Sequence, residues 1–252
     1  MPQFAASLAL LFNDVPLLDR FARAAAAGFR GVEVQWPYEA TKDAIALQLS
    51  ANGLVPALFN VAPMAAAIPG KEEEFRAGFQ RAIEYALAAG RPQLHCMAGV
   101  ASGAKAEAVF VANLRWAAAL ASERGIDLLI EPVNDTDNPG YFLTHSAQAL
   151  RILDQVGSER VRLQYDFYHM QIMEGNLAAT VAAHIDRIGH FQIGGVPGRN
   201  EPDATQEINY PFLFERLDAL GYTGWVGCEY RPRRGTSEGL GWARQYGIRT
   251  RG

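Results

Sequence analysis

The chain has 252 residues, of which 49% are hydrophobic and 20% are charged, a composition typical of a folded globular enzyme and not of a disordered segment. It carries 23 Lys and Arg against 27 Asp and Glu, and this formal net charge of -4 argues against a nucleic-acid-binding surface, which usually has a basic excess. The length fits two small domains or one α/β barrel, since such barrels take about 250 residues.

The N-terminal run FAASLALLF, residues 4–12, is apolar, but no basic residue precedes it. We interpret it as a first strand and not as a signal peptide. No apolar run approaches the roughly 18 residues of a membrane span. Cys96 and Cys228 lie in apolar runs without CxxC spacing, which predicts plain core thiols in a reducing compartment. These features predict a cytoplasmic protein without membrane association, and they leave a homo-oligomer open.

Seven more apolar runs follow along the chain. They are GVEVQW (31–36), VPALFNV (55–61), QLHCMAG (93–99), DLLIEPV (127–133), VRLQYDF (161–167), GHFQIGG (189–195) and GWVGCEY (224–230). The segments between them have helical periodicity, which is clearest in KEEEFRAGFQRAIEYALAAG, residues 71–90. Its apolar stripe consists of Phe75, Phe79, Ala82, Ile83, Ala86 and Leu87.

Glycine precedes many of the predicted strands, where it suits the left-handed conformation that ends a helix. The positions are Gly28, Gly53, Gly90, Gly125, Gly157 and Gly221. Strand-helix units without a linker predict an α/β protein with a single (β/α)8 TIM barrel over residues 1–252, with residues 233–252 forming a C-terminal tail that packs on the barrel. A doubly wound open sheet is the alternative, but no GxGxxG follows the first strand.

Polar residues interrupt strands that a parallel sheet should keep apolar. Glu131, Asp166, Gln192 and Glu229 fall at the C-terminal ends of predicted strands five to eight, whereas Glu33 lies inside strand two. Barrel enzymes carry their chemistry on that face. Three carboxylates and one amide oxygen there would repel one another without a cation, and this oxygen-rich set suits Mg2+ or Mn2+.

Each of these residues also has a structural interpretation. A single carboxylate at a strand end is often a helix N-cap or one member of an ion pair. Glu33 fits either a partner of the site or a structural pair, and His190, on the same strand face as Gln192, fits either a core histidine or a site residue. His169 lies in the loop after Asp166, on the face that is predicted to be active, so a functional role is favoured there.

The motifs IEPVN, YDFYHMQ, GHFQIGGVPGRNEP, GCEYRP and TSEGLGW resemble the hydroxypyruvate isomerase family, which belongs with the sugar-phosphate isomerase and epimerase TIM barrels and includes 2-oxo-tetronate isomerases. GFRGVEVQWPYE and LVPALFNV extend the similarity to almost the whole chain. The resemblance implies interconversion of hydroxypyruvate and tartronate semialdehyde, or, in a close subgroup, isomerisation of 2-oxo-tetronate. It also implies that metal-binding and acid/base roles carry over to Glu131, Asp166, Gln192 and Glu229. Related ketose 3-epimerases normally have histidine at the third ligand, so Gln192 favours the isomerase branch.

The residue types fit this chemistry by themselves. Moving a carbonyl to the neighbouring carbon requires removal of a proton, stabilisation of an enediolate and return of the proton. We expect Glu131 and Glu229 to flank the substrate as acid/base groups that also contact the metal. We expect four residues to bind substrate: His169 as a donor to a substrate oxygen, Arg199 as a bidentate partner of the carboxylate, and His95 and Glu33. Arg199 also fits a solvated loop charge.

Two other classes remain as alternatives. An endonuclease IV-like metal hydrolase shares the barrel, but it should show more histidine ligands for zinc and a basic groove, and five histidines with a net charge of -4 argue against it. A non-catalytic sugar-acid-binding protein would use the same pocket, although it would not need two bases. The predicted partner is therefore a small sugar acid or 2-oxo acid, without nucleic acid.

Overall fold

The computed structural model describes residues 1–248, which form a closed barrel of eight parallel strands. The strands are β1 (Gln3–Ser7), β2 (Gly31–Glu33), β3 (Val55–Asn60), β4 (Gln93–His95), β5 (Leu128–Ile130), β6 (Val161–Asp166), β7 (Ile188–Ile193) and β8 (Trp225–Cys228). Each strand pairs with the next, and β1 pairs with β8. The predicted TIM barrel is confirmed, because an open doubly wound sheet would leave its edge strands unpaired.

Helices alternate with these strands. They are α1 (Leu17–Ala26), α2 (Lys42–Asn52), α3 (Glu72–Ala89), α4 (Gly103–Ser122), α5 (Ser146–Val156), α6 (Phe167–Met173), α7 (Leu177–His184), α8 (Tyr210–Ala219) and α9 (Thr236–Gly239). Among residues 1–248, no helix is both long enough and apolar enough to cross a membrane. The two cysteines are buried and unpaired, as predicted for core thiols.

The helix α3 buries most of its predicted stripe, including Phe75, Phe79 and Ile83. Leu87 is the exception, since 43% of its surface is exposed. Twelve residues at about 100° each place Leu87 roughly 120° around the helix from Phe75, at the edge of the buried face. The prediction for Leu87 was wrong because the buried face extends to the other side of Phe75, to Tyr85 and Ala89, and so leaves Leu87 outside it.

The predicted helix-ending glycines all adopt positive φ angles, from 62° at Gly53 to 93° at Gly28 and Gly90. An L-residue with a side chain is strained in this region, whereas glycine is not. The sharp turn at each helix end sends the chain back into the barrel, so every strand points the same way. As a result, the carboxyl ends of all strands meet on one face.

The segment after β8 packs on the outside of the barrel. The Trp242 ring lies 5.5 Å from the ring of Phe4 in β1, and its Nε1 donates to the Tyr230 hydroxyl at 3.2 Å. Leu240 and Ala243 are buried in the same segment. Residues 233–248 thus contact the region where β8 meets β1, while residues 249–252 of the predicted tail lie outside the described residues.

Candidate active site

The polar residues singled out in the sequence lie at the carboxyl end of the barrel. Asp166 is the last residue of β6, Gln192 is next to last in β7, and Glu131 and Glu229 directly follow β5 and β8. Asp166 is the register partner of Gln192, so these two side chains start at the same height on neighbouring strands. The barrel therefore brings the four predicted ligands to consecutive positions on one face.

A group of buried ligand atoms lies at the centre of this face. Glu131, Asp166 and His169 each offer one atom, and these atoms lie within 4.8 Å of one another. Oε1 of Glu131 is buried and has no hydrogen-bond partner among residues 1–248. A buried carboxylate oxygen without a partner is costly, unless a cation balances it. The two carboxylates of this group therefore fit a divalent ion, whereas the part played by His169 depends on which ring nitrogen carries the proton.

Hydrogen bonding around His169 indicates which of its ring nitrogens carries the proton. Its Nδ1 accepts from the backbone N–H of Asn134 at 3.3 Å and lies 2.6 Å from Asn134 Nδ2. Burial lowers the pKa of His169, which favours the neutral ring. Because Nδ1 accepts from the Asn134 N–H, the neutral ring carries its proton on Nε2. Nε2 lies 3.6 Å from Asp166 Oδ2 and 3.9 Å from Glu131 Oε1. A protonated nitrogen cannot ligate a metal, so the contacts favour the predicted donor role.

Arg199 is part of the cluster and is not a solvated loop charge. Its Nη2 lies 3.1 Å from Asp166 Oδ2 and also pairs with Glu229 Oε2. Its Nε donates to the Glu229 carbonyl at 3.1 Å, and its guanidinium lies 5.1 Å from the Tyr168 ring centre. Only 15% of the side chain is exposed. The sequence predicted a contact with substrate; the structure adds two carboxylate partners within the protein.

Burial dominates the electrostatics of the three carboxyl groups. It raises the pKa of Asp166 to about 6 and that of Glu229 to about 7, and in both cases the nearby Arg199 opposes the shift. Burial also raises the pKa of Glu131 well above its usual value, and the negative charges of Glu229 and Asp166 raise it further. The cluster carries more negative charge than Arg199 alone offsets, as expected for a cation site.

These shifts predict that metal binding releases protons. Below about pH 7 the metal-free cluster holds extra protons, and a divalent ion must displace them because it binds ionised carboxylates. Affinity for Mn2+ should therefore fall as the pH drops through the raised pKa values. Calorimetry in two buffers of different ionisation enthalpy should give more protons released per ion at about pH 6 than at about pH 8. Identical heats in both buffers at the lower pH would contradict the carboxylate site.

His95 borders the cluster from β4. Its Nδ1 lies 3.2 Å from Asn60 Oδ1 and 3.6 Å from Glu131 Oε2. Burial lowers the pKa of His95 to about 3, so the ring is neutral and offers a hydrogen bond without a charge. Its position next to Glu131 is consistent with the predicted place in the substrate pocket.

Glu33 lies in the second strand, as predicted, but at its end. It ends β2 instead of lying inside the strand, and it is fully buried. Its carboxylate accepts hydrogen bonds from Nε2 of His190, of Gln192 and of Gln35. Because these donors occupy the carboxylate and no solvent reaches it, the contacts favour support of Gln192 over the predicted substrate binding.

Gln35 was not singled out from the sequence, although its contacts place it in the site. Its Nε2 lies 3.3 Å from Glu229 Oε1 and 2.7 Å from Ser7 Oγ. The signal was present in GVEVQW, because Gln35 follows Glu33 by two residues and such residues share a strand face. The polar face of GVEVQW therefore contains both Glu33 and Gln35.

Known proteins resemble this chain over its whole length. The model of a family described as xylose isomerase-like TIM barrel matches residues 21–246. The 2-oxo-tetronate isomerase of Cupriavidus necator is 48% identical, with 98% of this chain and 99% of the relative covered. The hydroxypyruvate isomerase of Escherichia coli is 43% identical, with 98% of this chain and 100% of the relative covered. This chain belongs to the hydroxypyruvate isomerase family.

Solved structures agree with the TIM-barrel fold of this chain. A Brucella melitensis protein named AP endonuclease, family 2, superposes with a TM-score of 0.95 at 43% identity, with 98% of this chain and 99% of that chain covered. The D-psicose 3-epimerase of Clostridium cellulolyticum H10 superposes with a TM-score of 0.77 at 18% identity, with 98% and 91% covered, and so shares the fold alone. The predicted resemblance is confirmed, and the chain is an isomerase.

Proposed function

We propose that this isomerase moves a carbonyl group between C2 and C3 of a short 2-oxo acid, interconverting hydroxypyruvate and 2-hydroxy-3-oxopropanoate. The alternative substrate is 2-oxo-tetronate. One observation carries the proposal: Glu131 and Glu229, carboxyl groups with raised pKa values, border one buried cluster from the ends of β5 and β8. The names of the two relatives support the same substrate class.

Both substrates present the same reacting unit. Each has a carboxylate, a C2 carbonyl and a C3 that bears a hydroxyl group and a hydrogen. They differ in whether C3 carries a second hydrogen or a hydroxymethyl group. Removal of the C3 proton gives an enediolate. Protonation of C2 and transfer of the C3 hydroxyl proton to the oxygen on C2 complete the change. One arrangement of acid/base groups therefore serves either acid, and the room around C3 selects between them.

The residues proposed to hold a divalent ion, Mg2+ or Mn2+, are Glu131, Asp166, Gln192 and Glu229. Such an ion would offset the negative charge that develops on the two substrate oxygens. The buried, unpartnered Oε1 of Glu131 and the raised carboxyl pKa values support this ligand set. The ion would neutralise the carboxylates of the cluster in place of the protons that they hold in the metal-free protein.

Proton transfer falls to the two glutamates. The first removes the proton from C3, and the second donates a proton to C2. A base works best when its pKa lies near the working pH. Burial raises the pKa of both glutamates in that direction in the metal-free protein, and a bound divalent ion would lower it again. His169, with a proton on Nε2, donates to a substrate oxygen and thereby favours the enediolate over the ketone.

Arg199 accounts for the proposed preference for an acid. The contacts found for it within residues 1–248 use Nε and Nη2, which leaves the Nη1 donors for a substrate carboxylate. Its two protein partners, Asp166 and Glu229, fix the guanidinium at the centre of the site. A neutral sugar would not use this charge.

The hydrolase alternative draws on the name of the Brucella melitensis protein, AP endonuclease, family 2. Two observations favour the isomerase. The metal-capable group found among residues 1–248 contains one histidine, whose proton position favours donation, and the net charge of -4 does not suit a DNA groove. Incubation of the metal-loaded protein with an abasic-site duplex is expected to leave the DNA intact.

Substrate preference tests the proposal directly. Hydroxypyruvate and dihydroxyacetone differ only in a carboxylate against a hydroxymethyl group, and 2-oxo-tetronate and erythrulose form a second such pair. Because a hydrogen bond to a charged group contributes about 1.5–3 kcal/mol, kcat/KM for each acid should exceed that of its neutral partner by roughly 10- to 100-fold. NMR of the products with the metal-loaded protein measures this. A preference for the neutral ketoses, fructose or tagatose included, would move the protein to the epimerase branch.

A further inference from the structure

A buried carboxylate lies beneath the proposed metal ligands without contacting solvent. Glu33 Oε2 accepts from Gln192 Nε2 at 3.1 Å and from Gln35 Nε2 at 2.9 Å, and Oε1 accepts from His190 Nε2 and from Gln192 Nε2 at 3.2 Å. Gly227 in β8 leaves the room for it, because a Cβ there would overlap the carboxylate. Side chains from β7 and from the segment after β2 thus donate to the Glu33 carboxylate, and the glycine in β8 leaves space for it.

The carboxylate matters because Gln192 is an amide. The oxygen and the NH2 group of an amide have nearly the same shape, so packing alone does not decide which of them faces a metal. Both oxygens of Glu33 accept hydrogen bonds from nitrogen donors, and the carboxyl group therefore holds the NH2 group of Gln192 toward Glu33. On the other side, Gln164 Nε2 donates to Gln192 Oε1 at 2.6 Å. This contact agrees with the orientation but does not select it, because Gln164 is also an amide and its Oε1 has no hydrogen-bond partner among residues 1–248.

We infer that Glu33 is a positioning residue that fixes the amide orientation of Gln192, so that the oxygen and not the NH2 group is presented as a ligand. This inference rests on the proposed metal site and deepens it. Glu33 also holds Gln35, whose NH2 group reaches Glu229 Oε1 at 3.3 Å. One carboxylate thereby orients two amides, one at the proposed ligand and one at the proposed base.

The test is a charge swap between Glu33 and Gln192, read as Mn2+ affinity by calorimetry and electron paramagnetic resonance. Glu33→Gln keeps the shape but no longer selects the amide orientation, and loss of such a supporting hydrogen bond typically lowers metal affinity about 10- to 100-fold. In a Gln192→Glu background the same substitution should act in the opposite direction. There it removes a like charge beside the new carboxylate ligand, and the amide introduced at position 33 donates to that carboxylate, so affinity should rise.

This reversal of sign separates positioning from a general effect of charge. If Glu33 merely added negative charge near the ion, Glu33→Gln would weaken binding in both backgrounds, and the inference would be wrong. It would also be wrong if Glu33→Gln left Mn2+ affinity unchanged. If Glu33→Gln does not fold, the Gln192→Glu variant and the double variant still test the inference. It requires the double variant to bind Mn2+ more tightly than Gln192→Glu does.

The matched control is Glu201→Gln. Glu201 is also buried, and its Oε1 accepts from the Arg233 backbone N–H at 2.9 Å, away from Gln192. The Mn2+ affinity of this variant should equal that of the wild type. Two kinds of failure can be told apart. If the metal proposal is wrong, the wild type binds no Mn2+; if only the inference about Glu33 is wrong, the wild type still binds Mn2+.

Discussion

Asp166→Ala is expected to lower Mn2+ affinity by more than about 100-fold, since Asp166 is proposed as a direct ligand and its loss should exceed the 10- to 100-fold typical of an outer hydrogen-bond partner. Asp166 is fully buried at the end of β6 and lies 3.1 Å from Arg199 Nη2. Removal of its charge leaves Arg199 to offset more of the remaining negative charge, which further disfavours a cation. Calorimetric titration of the metal-free variant with Mn2+ measures the loss.

Two further variants make this result interpretable. Asp166 Oδ1 also accepts from the Tyr168 N–H at 2.9 Å and so caps α6, a role that typically contributes about 1 kcal/mol. Asp166→Asn keeps a capping oxygen, and it should still lose most of the metal affinity because it lacks the charge. Asp154→Ala, which removes an exposed carboxylate paired with Arg187, should bind Mn2+ normally. Unchanged binding by Asp166→Ala would show that the site as drawn is wrong.

The fold was predictable because its signals are local and repeat along the chain. Each apolar run with a helix and a glycine after it specifies one strand-helix unit, and parallel units of this size close into a barrel. The location of the site followed from the same geometry. Asp166 and Gln192 are 26 residues apart in sequence, yet the strand register places them side by side. Residues at the ends of neighbouring parallel strands must meet.

Contacts that depend on loops and on side-chain rotamers were not predictable. Arg199 lies in the loop after β7, and its φ of 54° is rare for a residue with a side chain. Nothing in the sequence of that loop specifies that its guanidinium turns toward Asp166. The β7 partners of Glu33, His190 and Gln192, were hidden for another reason, since only the closed barrel sets their distances from it.

The site also shows why burial and function coincide here. A carboxylate in an apolar barrel is costly unless it is paired, and three of them with a single guanidinium leave negative charge unbalanced. Burial among these groups raises the pKa of Glu229 to about 7 and favours a cation. The same feature that makes the strands look anomalous in sequence therefore prepares both the bases and the proposed metal site.

Glu131→Gln and Glu229→Gln are each expected to lower turnover of hydroxypyruvate by at least about 10²- to 10⁴-fold, the usual contribution of a general acid or base. Each substitution keeps an oxygen and most of the shape, so Mn2+ binding should survive in part while proton transfer is lost. The control is Glu201→Gln, a buried carboxylate outside the cluster, which should turn over at the wild-type rate.

Solvent deuterium separates the two glutamates. In the wild type, C3 of hydroxypyruvate should exchange its hydrogen with D2O while product forms, because the removed proton reaches solvent from the carboxyl group. A variant that still exchanges C3 but forms no product retains the base that deprotonates C3, so its missing glutamate is the one that protonates C2. A variant that neither exchanges nor isomerises lacks the first base. If both variants isomerise at nearly the wild-type rate, neither glutamate transfers a proton, and the buried cluster holds its cation for some purpose other than this reaction.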